Sequence, residues 1–298
     1  MQNRLLIASI LAFIVPVSTS ASSVVYEQIS SGKVHGHLVT VNLADPQTRV
    51  SVAIAQGGLG KNESFKSMVS RTRPTAAITG TFFDTKSLLP TGDIAVYGKI
   101  IHSGCIGSAL CIDSNNKASI VSLANGRKSA WEGYETVMCC GPALVTKGKS
   151  TVRLRQEGFG NSLYAPAART AVGINGAGKL LLVAVSSKIR LHKMAELMVK
   201  CGAVDALTLD GGSSTGFYGG GSYRANPTRK LTNLLVVYSD SNDYNNAKTA
   251  LVPASVLAKA EKKPVQTVQK IQTASVPVMI STVDSIGPVQ NTDSNGKL

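Results

Sequence analysis

The sequence predicts an α+β fold: one domain with a mixed, largely antiparallel twisted sheet and a few packed helices. Two observations carry this. Most apolar stretches alternate as strands do and fall in pairs around turn residues, the pattern of hairpins. Only two stretches, near residues 62–73 and 190–201, place apolar side chains at helical spacing. A third feature organises the rest: a short apolar strand that ends in Leu209-Asp210-Gly211-Gly212-Ser213-Ser214-Thr215.

In chain order, residues 34–43 alternate, with Leu38, Thr40 and Asn42 set against Val39, Val41 and Leu43. Asp45-Pro46 turns the chain and residues 49–55 return it. His35 and His37 share a face of the outgoing strand and read as a surface pair. After a loop at residues 57–60, Asn62 suits an N-cap, and Phe65, Met68 and Val69 form one helical face that Pro74 terminates. Residues 76–84 leave a strand for a loop, and Pro90-Thr91-Gly92-Asp93 is a turn. Hairpins follow through Gly98-Lys99 and through Asn115-Asn116-Lys117. Residues 140–145 form a further strand, and 150–167 a polar loop placed to edge a cleft. Residues 169–174 and 180–185 pair around Asn175-Gly176. Leu191, Met194, Leu197, Met198 and Cys201 mark the second helix, with Gly202 at its C-cap. The strand at 206–209 and a last strand at 231–238 complete the domain.

The two ends read differently. Arg4, an apolar run over residues 5–17 and the small residues Ser18 to Ala21 form a secretory signal peptide, removed near Ala21. The expected layout is a signal peptide at 1–21, a folded domain at 24–240 and a disordered, low-complexity tail at 245–298. That tail has no aromatic residue and contains Pro253, Pro264, Pro277 and Pro288. The protein is therefore expected to be exported, periplasmic or extracellular, without a membrane span. The chain has 298 residues and a formal charge of +14, and losing residues 1–21 removes only Arg4. Such a balance suits an anionic partner. Nucleic acid is not expected, since no zinc-finger spacing, RNP-like aromatic motif or dense basic run is present. Five cysteines in an oxidising compartment leave at least one unpaired, and the short Cys105–Cys111 spacing makes that pair the first candidate bridge. Cys139 and Cys140 should point to opposite faces of a strand. The oligomeric state is not legible.

Asp210 stands where a strand should end, next to two glycines and three hydroxyls. Glycines let a ligand approach the main chain, and successive N–H groups in such a turn can bind an anion. The rival reading is ordinary turn chemistry. Gly212-Ser213-Ser214-Thr215-Gly216 also fits the G-x-S-x-G spacing of a nucleophile elbow. That motif needs a helix directly after it and a later histidine. Phe217-Tyr218-Gly219-Gly220-Gly221 is a poor helix, and the last histidine is His192, so the serine-hydrolase reading is set aside.

Four stretches fall at strand ends or turns: Thr79-Gly80-Thr81-Phe82-Phe83-Asp84, Pro90-Thr91-Gly92-Asp93, Arg169-Thr170-Ala171-Val172-Gly173, and Leu209 to Thr215. Their order and content resemble the phosphodiester glycosidase family, over residues 25–239. Thr79 stands where the family usually has Asn, and Ser213 where it often has a third Gly. The resemblance implies hydrolysis of a sugar-1-phosphodiester, with an anionic glycan or sugar phosphodiester as partner. It implies Asp210 as nucleophile or general base, Asp84 as second carboxylate with Asp93 in reserve, and Arg169 as a bidentate phosphate ligand. Thr79, Gly80, Thr81, Asp93, Thr170, Gly211, Gly212, Ser213, Ser214 and Thr215 are the expected substrate contacts. No cofactor is expected, and any metal requirement is left open. The competing class is a non-catalytic protein of glycan binding or envelope assembly that uses the same pocket, which Thr79 keeps in play.

Overall fold

The computed structural model describes residues 22–104, 106–123 and 131–261. The signal-peptide expectation, Cys105 and the region beyond 261 lie outside the described residues.

The α+β expectation holds, with the strands divided among three sheets. Every strand pairing among the described residues is antiparallel. The strands in chain order are β1 (Val24–Ser31), β2 (Val34–Val41), β3 (Arg49–Ile54), β4 (Ala76–Thr79), β5 (Ile94–Val96), β6 (Lys99–His102), β7 (Ser108–Asp113), β8 (Ala118–Ser122) and β9 (Tyr134–Cys139). They continue as β10 (Ala143–Thr146), β11 (Lys149–Ser150), β12 (Ala167–Asn175), β13 (Leu180–Ile189), β14 (Ala203–Thr208), β15 (Phe217–Gly219), β16 (Ser222–Ala225) and β17 (Asn233–Tyr238). One sheet runs β1-β2-β13-β12-β14-β10-β11, a second β16-β15-β4-β17-β3 and a third β6-β5-β9-β7-β8. Sequence alternation missed β1, β9 and the β15–β16 hairpin. The helix is α1 (Phe65–Thr72), followed by α2 (Leu191–Lys200), α3 (Ser241–Leu251) and α4 (Ala254–Glu261).

Burial explains the helices. Helix α1 hides Phe65, Met68, Val69 and Thr72, and its cap is Ser64, not Asn62: the Ser67 N–H donates to Ser64 Oγ at 3.1 Å. Helix α2 buries Leu191, Met194, Ala195, Leu197 and Met198 against the seven-stranded sheet. The main core draws on all three sheets, with Val39, Val172 and Leu182 from the first, Ile78, Phe217 and Leu235 from the second and Ile94, Leu110 and Met138 from the third.

The expected start of the tail at 245 is corrected. Asp240 caps α3, accepting from the Asn242 N–H at 2.6 Å. Leu251, Val252 and Val256 are buried in the main core. Arg71, itself paired with Glu63 at 2.7 Å, also donates to the Ala250 carbonyl. A segment without aromatics can still pack when a few aliphatic side chains reach a core that the rest of the chain has built. Among the described residues no helix is long and apolar enough to cross a membrane.

The cysteines divide as the strands dictate. Cys139 joins a small core with Cys111 and Trp131, and Cys140, its neighbour, joins the main core, so the two do face opposite ways. Cys111 is a free thiol with no exposed surface, its side chain directed into that small core. The other half of the expected Cys105–Cys111 bridge lies outside the described residues.

Candidate active site

Strand ends from all three sheets meet at one place. Leaving β14, Leu209 N–H donates to the Thr170 carbonyl at 2.9 Å, and Asp210 N–H donates to the Gly80 carbonyl at 3.0 Å. Gly80, just past β4, donates its own N–H to the Asn233 carbonyl at 3.2 Å. From the third sheet, Gly141 N–H reaches the Thr208 carbonyl at 3.0 Å. Asp210, Gly80, Thr170 and Asn233 are thus fixed by main-chain bonds before any side chain acts.

The turn after Asp210 depends on its glycines. Gly212 has φ +60°, a left-handed conformation that favours glycine. A Cβ on Gly211 would come within 2.7 Å of the Ala168 carbonyl oxygen. A single 3-10 turn covers Gly212–Ser214, and β15 follows where a nucleophile elbow needs a helix. Ser214 and Thr215 close the turn through their N–H groups, at 3.0 and 3.2 Å. Among the described residues, no acceptor meets the N–H groups of Gly212 and Ser213. The hydroxyls of Ser214 and Thr215 are buried with no hydrogen-bond partner. Unsatisfied buried donors are costly and call for an explanation in terms of site or ligand.

Asp210 is half-buried. Burial pushes its pKa up to about 6. The Ser214 hydroxyl, beside it but outside hydrogen-bond geometry, the Arg229 charge and the Gly211 N–H pull the other way. A carboxylate poised near neutrality beside free donors is a candidate general base or nucleophile.

Several expected contacts have structural work instead. Thr79 Oγ1 donates to the Ser214 carbonyl at 2.5 Å and accepts from the Gly216 N–H at 2.8 Å. Thr81 Oγ1 donates to the Cys139 carbonyl at 2.6 Å. Thr170 Oγ1 donates to the Asp210 carbonyl at 2.5 Å. These three hydroxyls brace the turn and the strand ends. Asp93 is buried and accepts from Gly104 N–H at 2.6 Å and Trp131 Nε1 at 2.7 Å, anchoring the third sheet's small core. Asp84 is exposed: its Oδ1 accepts from the N–H groups of Lys86 and Ser87 and from the Ser87 hydroxyl, which holds its pKa below the usual carboxylate range. It caps its own loop.

Arg169 is buried, and its Nε and Nη2 bond the protein's own main chain. Nη2 donates to the Leu163 carbonyl at 2.8 Å and the Ala165 carbonyl at 2.5 Å, and Nε to the Ile189 carbonyl at 3.4 Å. It holds down the strap at residues 151–166, whose Phe159 touches Phe82 with ring centroids 6.1 Å apart. Glu157 ties the same strap to β10 and β7, accepting from Ala143 N–H at 3.0 Å and Ser108 Oγ at 3.1 Å. The strap thus packs against Arg169, β7, β10 and Phe82.

Sequence reasoning missed Arg229 and Asn233. Arg229, half-buried in the loop before β17, is the cation whose charge acts on Asp210, and it lies 4.2 Å over the Phe83 ring. Asn233 Oδ1 accepts from Thr81 N–H at 2.8 Å. The available signal was an Asn at the head of the apolar run Leu234 to Val237, preceded by Arg229-Lys230. Among the described residues no three His, Cys, Asp or Glu side chains gather as a metal site. His37 bonds Tyr26 Oη at 3.0 Å and stacks on Phe217.

The fold and site thus define a class: an antiparallel α+β protein with a raised carboxylate, Asp210, beside a donor-rich turn where strand ends of its sheets converge. The family model of phosphodiester glycosidases matches residues 72–238, and the chain belongs to that family. Its fold is similar to the catalytic domain of zebrafish N-acetylglucosamine-1-phosphodiester alpha-N-acetylglucosaminidase, solved auto-inhibited by its pro-peptide. The TM-score is 0.60 at 20% identity, covering 74% of this chain and 85% of that one. It is also similar to a hypothetical protein from Synechocystis, with TM-score 0.56 at 16% identity over 71% of this chain. The match spans 61% of the Synechocystis protein's length. No curated protein matches the sequence.

Proposed function

We propose that this chain is an exported hydrolase, periplasmic or extracellular, that cleaves a sugar-1-phosphodiester in an envelope or extracellular glycan. The observation that carries this reading is Asp210: a carboxylate raised to about 6, faced by Arg229 and adjoining buried, unpartnered hydroxyls, within a family of phosphodiester glycosidases. Asp210 acts as base toward water or as nucleophile toward the anomeric carbon. With water, the oxygen attacks that carbon and the proton passes to Asp210. The bond from the anomeric carbon to the phosphate oxygen breaks, and its electron pair leaves on the phosphate. The products are free sugar and a phosphomonoester.

A phosphate leaving group needs little protonation, which suits a site where Asp84 caps its own loop. Its charge needs donors, and Arg229, the Gly212 and Ser213 N–H groups and the two hydroxyls are the available set. Thr79 is committed to the fold, so its difference from the family's Asn no longer favours a silent binding protein.

The test is incubation of the full chain with the methyl phosphodiester of N-acetylglucosamine 1-phosphate and related sugars. Free sugar and a phosphomonoester should appear with wild type. Release by Asp210→Asn should fall by at least about a hundredfold. A wild-type protein that binds these diesters and releases no sugar is a binding module instead.

A further inference from the structure

The groove beside the Asp210 turn carries charge that the cleavage step does not use. Residues 64–66, at the start of α1, and residues 226–230, between β16 and β17, enclose a groove of about 490 Å³. Lys66, Arg229 and Lys230 line it, and no carboxylate does. The groove is continuous with the site. Thr228 N–H donates to the Ser213 carbonyl at 2.9 Å. Gly216 packs on the groove walls, where a Cβ would stand 3.0 Å from both Phe65 and Pro227. Arg229 belongs to both places, lining the groove while its charge reaches Asp210.

Of the two lysines, Lys66 also lies over the Tyr223 ring, its Nζ 5.7 Å from the centroid. Neither is in an ion pair among the described residues, where the pairs join Arg71 to Glu63 and Lys193 to Glu196. Lys66 stands in the first turn of α1, which carries no acid, although a cation there opposes the helix dipole. With no carboxylate in the groove lining, and Asp210 within charge range of Arg229, the three cations favour an anion there.

We propose that this groove is an anion subsite for a second phosphate, carried on the aglycone side of the scissile diester. The proposal rests on the glycosyl phosphodiester reading and narrows it: the preferred substrate is a phosphate-rich glycan, in which one phosphate is cleaved at Asp210 while the next is held by Lys66, Arg229 and Lys230. A groove of this size suits a small ligand group.

Two measurements test it on the full chain. In the first, inorganic tripolyphosphate is titrated by calorimetry at low salt into wild type, Lys66→Ala/Lys230→Ala and a control of equal charge, Lys149→Ala/Lys179→Ala. Affinity should fall at least tenfold in the groove pair and hold within twofold in the control. Equal losses in both pairs, or none in the groove pair, overturn the subsite. In the second, kcat/KM is compared for two diesters of N-acetylglucosamine 1-phosphate, one with methyl and one with glycerol 3-phosphate as aglycone. Wild type should prefer the glycerol phosphate diester, and the groove pair should lose that preference at least fivefold. Cleavage of both at one rate, unchanged in the variant, defeats the subsite and leaves the cleavage reading standing. Cleavage of neither removes the cleavage reading, and the titration still decides whether the groove holds phosphate.

Discussion

The Thr79 hydroxyl bridges β4 to the turn after Asp210, donating to the Ser214 carbonyl and accepting from the Gly216 N–H. Thr79→Val keeps the shape and removes both bonds, leaving a buried N–H and a buried carbonyl to find new partners. The expected cost is about 2–6 kcal/mol, from about 1–3 kcal/mol for each of the two groups left unsatisfied. Urea unfolding measures it. The effect should fall on stability, with KM for a phosphodiester unchanged in the folded fraction. A rise in KM with normal stability would return Thr79 to the substrate contacts.

Asp210 makes a prediction with a sign. Its folded pKa, about 6, lies above its ordinary value of 3.8. The folded state therefore binds the extra proton between these values, and stability falls as pH rises through that window. Above pH 6 the charged form costs on the order of 3 kcal/mol at most, at about 1.4 kcal/mol per unit. Asp210→Asn should then unfold at a higher temperature than wild type at pH 7.5, and the gap should close by pH 4. Because the ionised form does the chemistry, wild-type kcat/KM should drop below about pH 6. A variant that is less stable than wild type at pH 7.5 would mean the carboxylate is well paired.

Arg169 bonds three backbone carbonyls, two in the strap (Leu163 and Ala165) and one at the end of β13 (Ile189). Lysine offers one ammonium in place of a planar fork and cannot serve all three. Arg169→Lys should free the strap, so that limited proteolysis cuts within residues 158–166 faster than in wild type. Activity should fall along with this cleavage. Loss of activity with the strap still protected would restore the phosphate-ligand role for Arg169.

Helices α3 and α4 contribute core. Leu251, Val252 and Val256 are almost fully buried, and each such side chain contributes about 1.5–3 kcal/mol. A chain ending at residue 240 should be several kcal/mol less stable than one ending at 261. Equal melting temperatures for the two would show that these helices do not stabilise the domain.

Local pattern was sufficient for much of this protein. Alternation in residues 34–41 marked β2, the continuous apolar run 180–185 marked the first part of β13, which is buried throughout, and the stripe from Leu191 to Met198 marked α2, which buries one periodic face. The stretch from Leu209 to Thr215 was legible because a carboxylate, two glycines and three hydroxyls together have few purely structural uses. What sequence could not assign was the partner of each polar side chain. Thr79, Thr170 and Arg169 carry the right chemistry for a substrate, and their bonds go to Ser214, Asp210 and the strap, more than thirty residues away for the two threonines. Arg229 lies in an ordinary-looking loop and gains its role only because β17 returns that loop to the Asp210 turn. Hydrogen-bond satisfaction and charge proximity are set by contacts distant in sequence, so only the packing of the three sheets decided which of these residues face a ligand and which hold the site in place.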